Sequence, residues 1–129
     1  MTIDEYFTSL DRGLRHGAKR GISVTAFECI ASGDFNGLIR CRASFLDRSF
    51  LDIYEVVSTE LGYPVRVHYS YNYVRGTTCI FRYDNAPHHP EVVTHPHHKH
   101  IEGHAKALPS DQPSLGQVLA EVSSCLSSR

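Results

Sequence analysis

The sequence lacks the short motifs that assign many proteins to a chemical class. Its cysteines, Cys29, Cys41, Cys79 and Cys125, form no C-x-x-C or C-x-C pair, so we expect neither a disulfide framework nor a cysteine-based zinc site. No G-x-S-x-G nucleophile motif and no glycine-rich phosphate-binding loop occurs. The absence of these motifs argues against a motif-defined hydrolase or a nucleotide-binding domain. The absence of paired cysteines indicates a reducing compartment.

The chain also lacks a charge excess and a long apolar run. Its 13 basic residues nearly balance 14 acidic ones, for a formal net charge of -1, whereas nucleic-acid-binding domains usually show a basic excess. The formal count treats the nine histidines as neutral. A nearby phosphate would favour their protonation and would make the local charge more positive. The first residues, MTIDEYFTSLDRG, contain no apolar signal core, and no segment reaches transmembrane length. We expect a cytoplasmic protein that does not associate with a membrane.

The two ends of the sequence show the pattern of amphipathic helices. Thr2 and Glu5 form a capping box before apolar residues at helical spacing, so a helix is predicted over about residues 3–14, with Gly17 ending it. A second capping box begins at Ser114 and precedes another apolar stripe of helical period. At 129 residues the chain has the length of a single domain, 1–129.

Between these helices the sequence predicts β-structure. The segments rich in β-branched and alternating apolar residues are 22–32, 38–45, 50–58, 65–74 and 77–84. Short connections join them, which is typical of an antiparallel meander. The predicted fold is α+β, an antiparallel sheet of about five strands with an N-terminal and a C-terminal helix on one face.

Strand alternation assigns the side chains of the last two predicted strands to two faces. The core face is predicted to hold Tyr69, Tyr71, Tyr73, Cys79, Phe81 and Tyr83. The open face is predicted to hold His68, Ser70, Asn72, Thr78, Arg82 and Asp84. Register follows burial, so a one-residue slip that mixed these sets would be disfavoured. Glu55 shares an apolar strand face, where it either meets a partly buried arginine or reaches solvent at a strand end.

A His/Pro-rich loop at about 85–113 follows the last strand and has no regular pattern. The segment 81–100 holds six of the nine histidines and three of the six prolines. One hypothesis is a metal site at His95, His97 and His98, because imidazole is a common ligand of zinc-type metals. Neither an H-E-x-x-H motif nor a neighbouring cysteine supports this hypothesis. A metal-binding protein or metal-dependent hydrolase therefore remains the alternative.

The preferred hypothesis is acid–base catalysis without a cofactor. Two imidazoles can remove a proton from a ribose 2′-hydroxyl and deliver one to a leaving oxygen, while an arginine stabilises the charge that develops on the phosphate. The candidate acids and bases are His88, His89, His97, His98 and His100. Arg82 is the candidate phosphate ligand, and Asp84 would orient a histidine. The candidate substrate-binding residues are Tyr71, Tyr83, Lys99, Arg40 and Arg42. A loop that only folds on a protein partner is a third possibility.

The most distinctive stretch of the sequence is FRYDNAPHH followed by PHHKH, which comes after the strands GLIRCRASF, LDIYEVV and HYSYNY. Through these segments the sequence resembles the TumE-type family of toxins over nearly its full length. The resemblance implies a toxin of a bacterial or archaeal toxin–antitoxin pair and an antitoxin partner with a helix-turn-helix domain. It implies no catalytic residues. RNA as substrate is an extrapolation from small toxins in general, and a homodimer is a further expectation.

Overall fold

A computed structural model describes residues 1–16 and 21–127 of the chain. Its helices and strands, in chain order, are α1 (Ile3–His16), β1 (Ser23–Ser32), β2 (Asn36–Ser44), β3 (Phe50–Ser58), β4 (Val65–Arg75), β5 (Thr78–Asp84), β6 (His98–Ile101), β7 (Leu108–Pro109) and α2 (Leu115–Ser127). Gly17, predicted to end the first helix, lies outside the described residues. Both predicted capping boxes form, since Glu5 N donates to Thr2 Oγ1 and Gln117 N donates to Ser114 Oγ.

The strands form one antiparallel sheet in which spatial order equals chain order, β1 to β7. The predicted α+β class and meander are confirmed. The described part of the chain has seven strands, however, rather than about five. The two additional strands, β6 and β7, lie within the segment 85–113, for which no regular structure was predicted. Strand β6 pairs with β5 and β7 pairs with β6, so the two strands extend the sheet beyond β5.

The hydrophobic core lies between the helices and one face of the sheet. Strand β2 shows why, because Ile39, Cys41 and Ala43 are buried there while the alternate Arg40 and Arg42 are exposed. The apolar stripes of the helices supply the other half of the core, with buried Ile3, Phe7, Leu10, Leu14, Val118 and Val122. The opposite face of the sheet is therefore left open to solvent and carries polar side chains.

A register shift between β4 and β5 changes part of the predicted core face. Tyr69, Tyr71 and Tyr73 are buried as predicted. Cys79 is exposed, so its predicted core position is wrong, because the β4–β5 ladder shifts between Tyr73 and Val74. A bulge is the usual cause of such a change of face. No helix in the described residues has both the length and the apolar character needed to cross a membrane.

Candidate functional site

Strand β6 places two histidines beside the polar end of β5. In the β5–β6 ladder, Arg82 lies opposite His100 and Asp84 lies opposite His98. Side chains of directly opposed residues share a face of the sheet. The four side chains therefore meet on the open face. Part of the segment predicted as an irregular loop thus reaches this surface as the next strand.

Asp84 is the anchor of this group. It is 4% exposed, and its two carboxylate oxygens accept from different neighbours. Oδ2 accepts from Arg82 Nε at 2.9 Å, and Oδ1 accepts from His98 Nε2 at 2.9 Å. The backbone N–H of Ala86 also donates to Oδ1, at 3.0 Å, and so ties the chain after β5 to the same carboxylate. Asp84 thus fixes the orientation of a cation and an imidazole at once.

His98 is held at both ring nitrogens. Its Nδ1 lies 2.9 Å from the carbonyl oxygen of Pro96, and its Nε2 lies against Asp84. A carbonyl and a carboxylate only accept, so both bonds form when His98 carries two protons. The buried His98 side chain, 2% exposed, then forms an ion pair with Asp84. These two contacts hold the His98 ring in one orientation beside the Asp84 carboxylate.

Two further imidazoles, those of His89 and His100, lie next to His98. The ring centroid of His89 lies 4.8 Å from that of His98 and 5.3 Å from that of His100. The centroids of His98 and His100 are 4.9 Å apart. His89 Nδ1 lies 3.0 Å from Glu91 Oε1, which leaves its Nε2 available. A carboxylate bonded to one ring nitrogen fixes the tautomer and the orientation of the ring.

His100 has the character of a neutral base. Burial lowers the pKa of His100 below its ordinary value, and positive charge on His98 lowers it further, while Asp84 acts in the opposite direction. The described part of the chain shows no hydrogen bond to a ring nitrogen of His100, and the nearby ring nitrogens of His89 and His98 lie within 4.8 Å. The His100 ring is half-buried beside Arg82. A neutral imidazole with a free lone pair can take a proton from a substrate.

An open groove continues from this centre across the sheet. Its volume is about 660 Å³, and its lining includes Arg40, Arg42 and Arg82. Arg42 makes two bonds to Asp52, at 2.7 and 2.9 Å, and lies over the ring of Phe50. The predicted substrate-binding arginines thus lie on the same face as Arg82.

Other predicted site residues lie on the helix-covered face. Tyr71 is fully buried and donates to Glu55, so it presents no ring face for stacking. Tyr83 donates to Glu121 of α2 at 2.5 Å, and Lys99 Nζ donates to the same carboxylate at 2.7 Å. The structure does not bring these three residues together with Arg82.

His97, His88 and His95 also lie outside the His89, His98 and His100 group. His97 stacks on the buried Tyr69 and its Nδ1 lies 2.8 Å from the Tyr69 hydroxyl. His88 is exposed, and His95 Nδ1 lies 3.2 Å from the carbonyl oxygen of His89. Among the described residues, the imidazoles close enough to share a metal ion are His89, His98 and His100, with ligand atoms within 4.8 Å. The predicted metal-binding set of His95, His97 and His98 is not assembled.

Sequence reasoning missed a buried polar network on the helix side. Glu55 is 1% exposed and accepts from the hydroxyls of Tyr6 and Tyr71. Arg66 donates to Tyr71 Oη at 2.7 Å and to the Pro113 carbonyl oxygen at 2.5 Å. Burial, followed by the negative charge of Glu55, raises the pKa of both tyrosines far above the ordinary value.

Part of this network carried a sequence signal. Glu55 stands among apolar residues of its strand, and the two alternatives for it were a buried arginine or solvent. The structure excludes solvent and shows tyrosine hydroxyls as the direct partners, with Arg66 bonded to one of them. The sequence did not indicate where Arg66 lies. A register shift between Val56 and Val57 brings Arg66 opposite Val57, and regular strand alternation does not predict this pairing.

Comparison with known proteins decides the family. The family model of TumE, described as Toxin TumE, matches residues 19–126. The chain belongs to the TumE family. The match includes every strand of the sheet and the whole histidine segment. No curated protein and no solved structure matches the chain. TumE membership makes the chain a toxin of a toxin–antitoxin system, and it implies an antitoxin as partner.

Proposed function

We propose that this TumE toxin is a metal-independent ribonuclease whose centre is the open-face group of Arg82, Asp84, His89, His98 and His100. The observation that carries the proposal is the convergence of a neutral histidine, an oriented histidine and an arginine at one solvent-accessible point. These are the groups required for phosphate transfer within RNA by acid–base catalysis. Toxicity would then follow from the loss of cellular RNA.

The reaction is an attack of the ribose 2′-oxygen on the adjacent phosphorus. His100 removes the 2′-hydroxyl proton, and the P–O bond to the 5′-oxygen of the next nucleotide breaks. His89 delivers a proton to that leaving oxygen, with Glu91 holding its Nδ1. The products are a 2′,3′-cyclic phosphate and a 5′-hydroxyl, so no water, oxidant or metal ion is consumed.

Arg82 and His98 supply positive charge in this scheme. Asp84 holds Arg82 through Nε, which leaves the terminal nitrogens of the guanidinium to face the phosphate. Negative charge grows on the nonbridging oxygens in the transition state, and a fixed cation stabilises it without reorganisation. His98, paired with Asp84, keeps His100 neutral by its charge.

The test is cleavage of a short single-stranded RNA by purified protein with a chelator present. We expect cleavage that leaves a cyclic phosphate end, and a loss of about 10²–10⁴-fold in kcat on His100→Ala. His104→Ala is the matched control, because His104 is exposed and lies outside the centre. Absence of cleavage by the wild-type chain freed of its antitoxin, or full activity of His100→Ala, would overturn the proposal.

The antitoxin implied by the family gives a cellular form of this test. From the sequence resemblance we infer an antitoxin with a helix-turn-helix domain. Inducible expression of the chain alone should arrest growth, and co-expression of the antitoxin should restore it. His100→Ala should be harmless alone, while His104→Ala should remain toxic. A harmless wild-type chain would contradict the toxin assignment itself.

A metal-dependent hydrolase is the second candidate, and one observation favours it. His89, His98 and His100 are close enough to share one metal ion. Binding through His98 would displace either Asp84 or the Pro96 carbonyl from its ring. Calorimetric titration of chelator-treated protein with Zn²⁺ separates the candidates. One tightly bound ion that His89→Ala abolishes, together with activity that needs the ion, would favour the hydrolase.

A further inference from the structure

Two rows of side chains connect the catalytic group to the far side of the open face. Opposed positions on successive strands form the first row: Glu28, Arg40, Tyr54, Ser70, Asp84 and His98. The neighbouring row is Ala26, Arg42, Asp52, Asn72, Arg82 and His100. Directly opposed residues share a face, so both rows run across the groove and end at the histidines.

We propose that this face binds single-stranded RNA across β2 to β5, with the scissile phosphate at Arg82 and His100. The inference rests on the proposed ribonuclease function and names the substrate class of that site. Neighbouring strands are about 4.8 Å apart, so Arg42 and Arg82, three strands apart, are separated by about 14 Å. A sheet face four strands wide is the surface on which RNA-binding modules stack about two or three bases.

The groove offers aromatic surface next to its cations. The Arg40 guanidinium carbon lies 5.6 Å from the centroid of the Tyr54 ring, and that of Arg42 lies 3.8 Å from the centroid of Phe50. Unstacked bases bind to such surfaces of tyrosine rings and guanidinium planes. Tyr54, beside Arg40 in the first row, is therefore assigned to stack a base two strands from the catalytic group.

The charge of the groove favours a single strand over a duplex. Three arginines line it, and Glu28 and Asp52 oppose them, which leaves one net positive charge. Asp52 already takes up two donors of Arg42. Double-stranded RNA is bound mainly through phosphates and 2′-hydroxyls, and so needs more cations. A single strand adds base stacking to a few phosphate contacts, which is what this face provides.

Asn72 gives the groove a group that can contact a base edge. It lies between Asp52 and Arg82 in the second row, and its Oδ1 accepts from Cys79 Sγ at 3.1 Å. Its amide NH₂ then remains to donate to a base acceptor. Ser70, opposite Tyr54, adds a hydroxyl to the lining of the groove.

Fluorescence anisotropy with a short 2′-O-methyl RNA tests the inference, because this RNA cannot be cleaved through a 2′-hydroxyl. We expect the single strand to bind about ten-fold more tightly than the same sequence in a duplex. Tyr54→Ala and Arg40→Gln should each raise Kd about ten-fold, the loss expected for one stacked base or one charged contact. The matched controls Tyr63→Ala and Arg12→Gln, both exposed and outside the groove, should bind as the wild type does.

Equal binding of duplex and single strand, or unchanged Kd in both groove variants, would overturn the inference. Arg40 is exposed, so Arg40→Gln keeps the test valid if Tyr54→Ala fails to fold. Tight single-strand binding without any cleavage of natural RNA would refute the ribonuclease proposal and leave the binding surface standing. Cleavage with a KM that neither groove variant changes would refute the binding surface alone.

Discussion

Asp84 accepts hydrogen bonds from Arg82, His98 and the backbone of Ala86, and it is nearly inaccessible to solvent. A buried carboxylate of this kind has two effects. It positions the groups that face the groove, and it joins β5 to β6 by side chains as well as by the backbone ladder. Removing its charge would leave His98 without its counter-ion in a buried place.

We therefore predict that Asp84→Asn destabilises the fold by about 3–5 kcal/mol, the cost of breaking a buried ion pair. Asp52→Asn is the matched control, since it breaks an exposed pair with Arg42 and should cost about 0–1 kcal/mol. Urea unfolding followed by circular dichroism measures both. Similar losses in the two variants would show that the Asp84 pair contributes no more than a surface contact.

Alternation along strands predicted which residues share the open face. The sequence places Arg82 and Asp84 there together, and it places Tyr83 on the opposite, core face, which makes Tyr83 a poor candidate for a site on the open face. Lys99 lies on the helix-covered face because β6 alternates like any strand, and the sequence does not predict β6. His97 precedes β6 and stacks on a buried tyrosine of the core.

At the scale of the secondary-structure elements, α1 packs closely on the sheet at Gly37 of β2. A Cβ atom there would lie 2.7 Å from Phe7 Cζ, 3.0 Å from Ile3 Cγ1 and 2.8 Å from the carbonyl oxygen of Ile30. The last of these is backbone and cannot rotate away. The helix packs at this distance because residue 37 has no side chain.

Gly37→Ala should consequently destabilise the protein by about 1–3 kcal/mol through overpacking. Gly13→Ala should have the opposite effect, because Gly13 lies in α1 and nothing lies within 4 Å of a Cβ added there. This substitution should stabilise the protein by up to about 1 kcal/mol, since alanine has a higher helix propensity than glycine. Thermal unfolding midpoints of the two variants should move in opposite directions, and a rise for Gly37→Ala would contradict the packing described.

The elements differ in how well the sequence predicts them. The five long strands and both helices were predicted because their apolar periodicity extends over many residues. Strand β6 is only His-Lys-His-Ile and β7 only Leu-Pro. Segments this short, with little apolar alternation, owe their strand conformation to an available sheet edge, and the sequence does not show where that edge lies.

At the scale of the whole molecule, histidines link stability to pH. Burial and the charge of Arg66 lower the pKa of His97, and burial lowers that of His100. In the unfolded chain these histidines have the ordinary pKa of about 6.5. Between the lowered pKa values of the folded chain and pH 6.5, the unfolded chain therefore binds more protons than the folded chain. Stability contributed by these residues is present above pH 6.5 and is lost as pH falls through that window.

His97 provides the test, because it lies outside the proposed catalytic group. His97→Gln should reduce the loss of unfolding free energy between neutral pH and about pH 5.5, the window just below the ordinary histidine value. His104→Gln, which changes an exposed histidine, should leave that loss unchanged. Urea unfolding at both pH values measures it. An equal pH dependence in wild type and His97→Gln would refute the linkage.

The agreement between chain order and sheet order has a consequence for protein synthesis. Each strand can pair with the strand that left the ribosome immediately before it, and such sequential hairpins are quick to form. The proposed catalytic group extends from Arg82 to His100 and is complete only when β6 has paired with β5. A partly synthesised chain would thus carry a folded sheet without the catalytic group, and the ribosome would finish most of the toxin before the toxin could act.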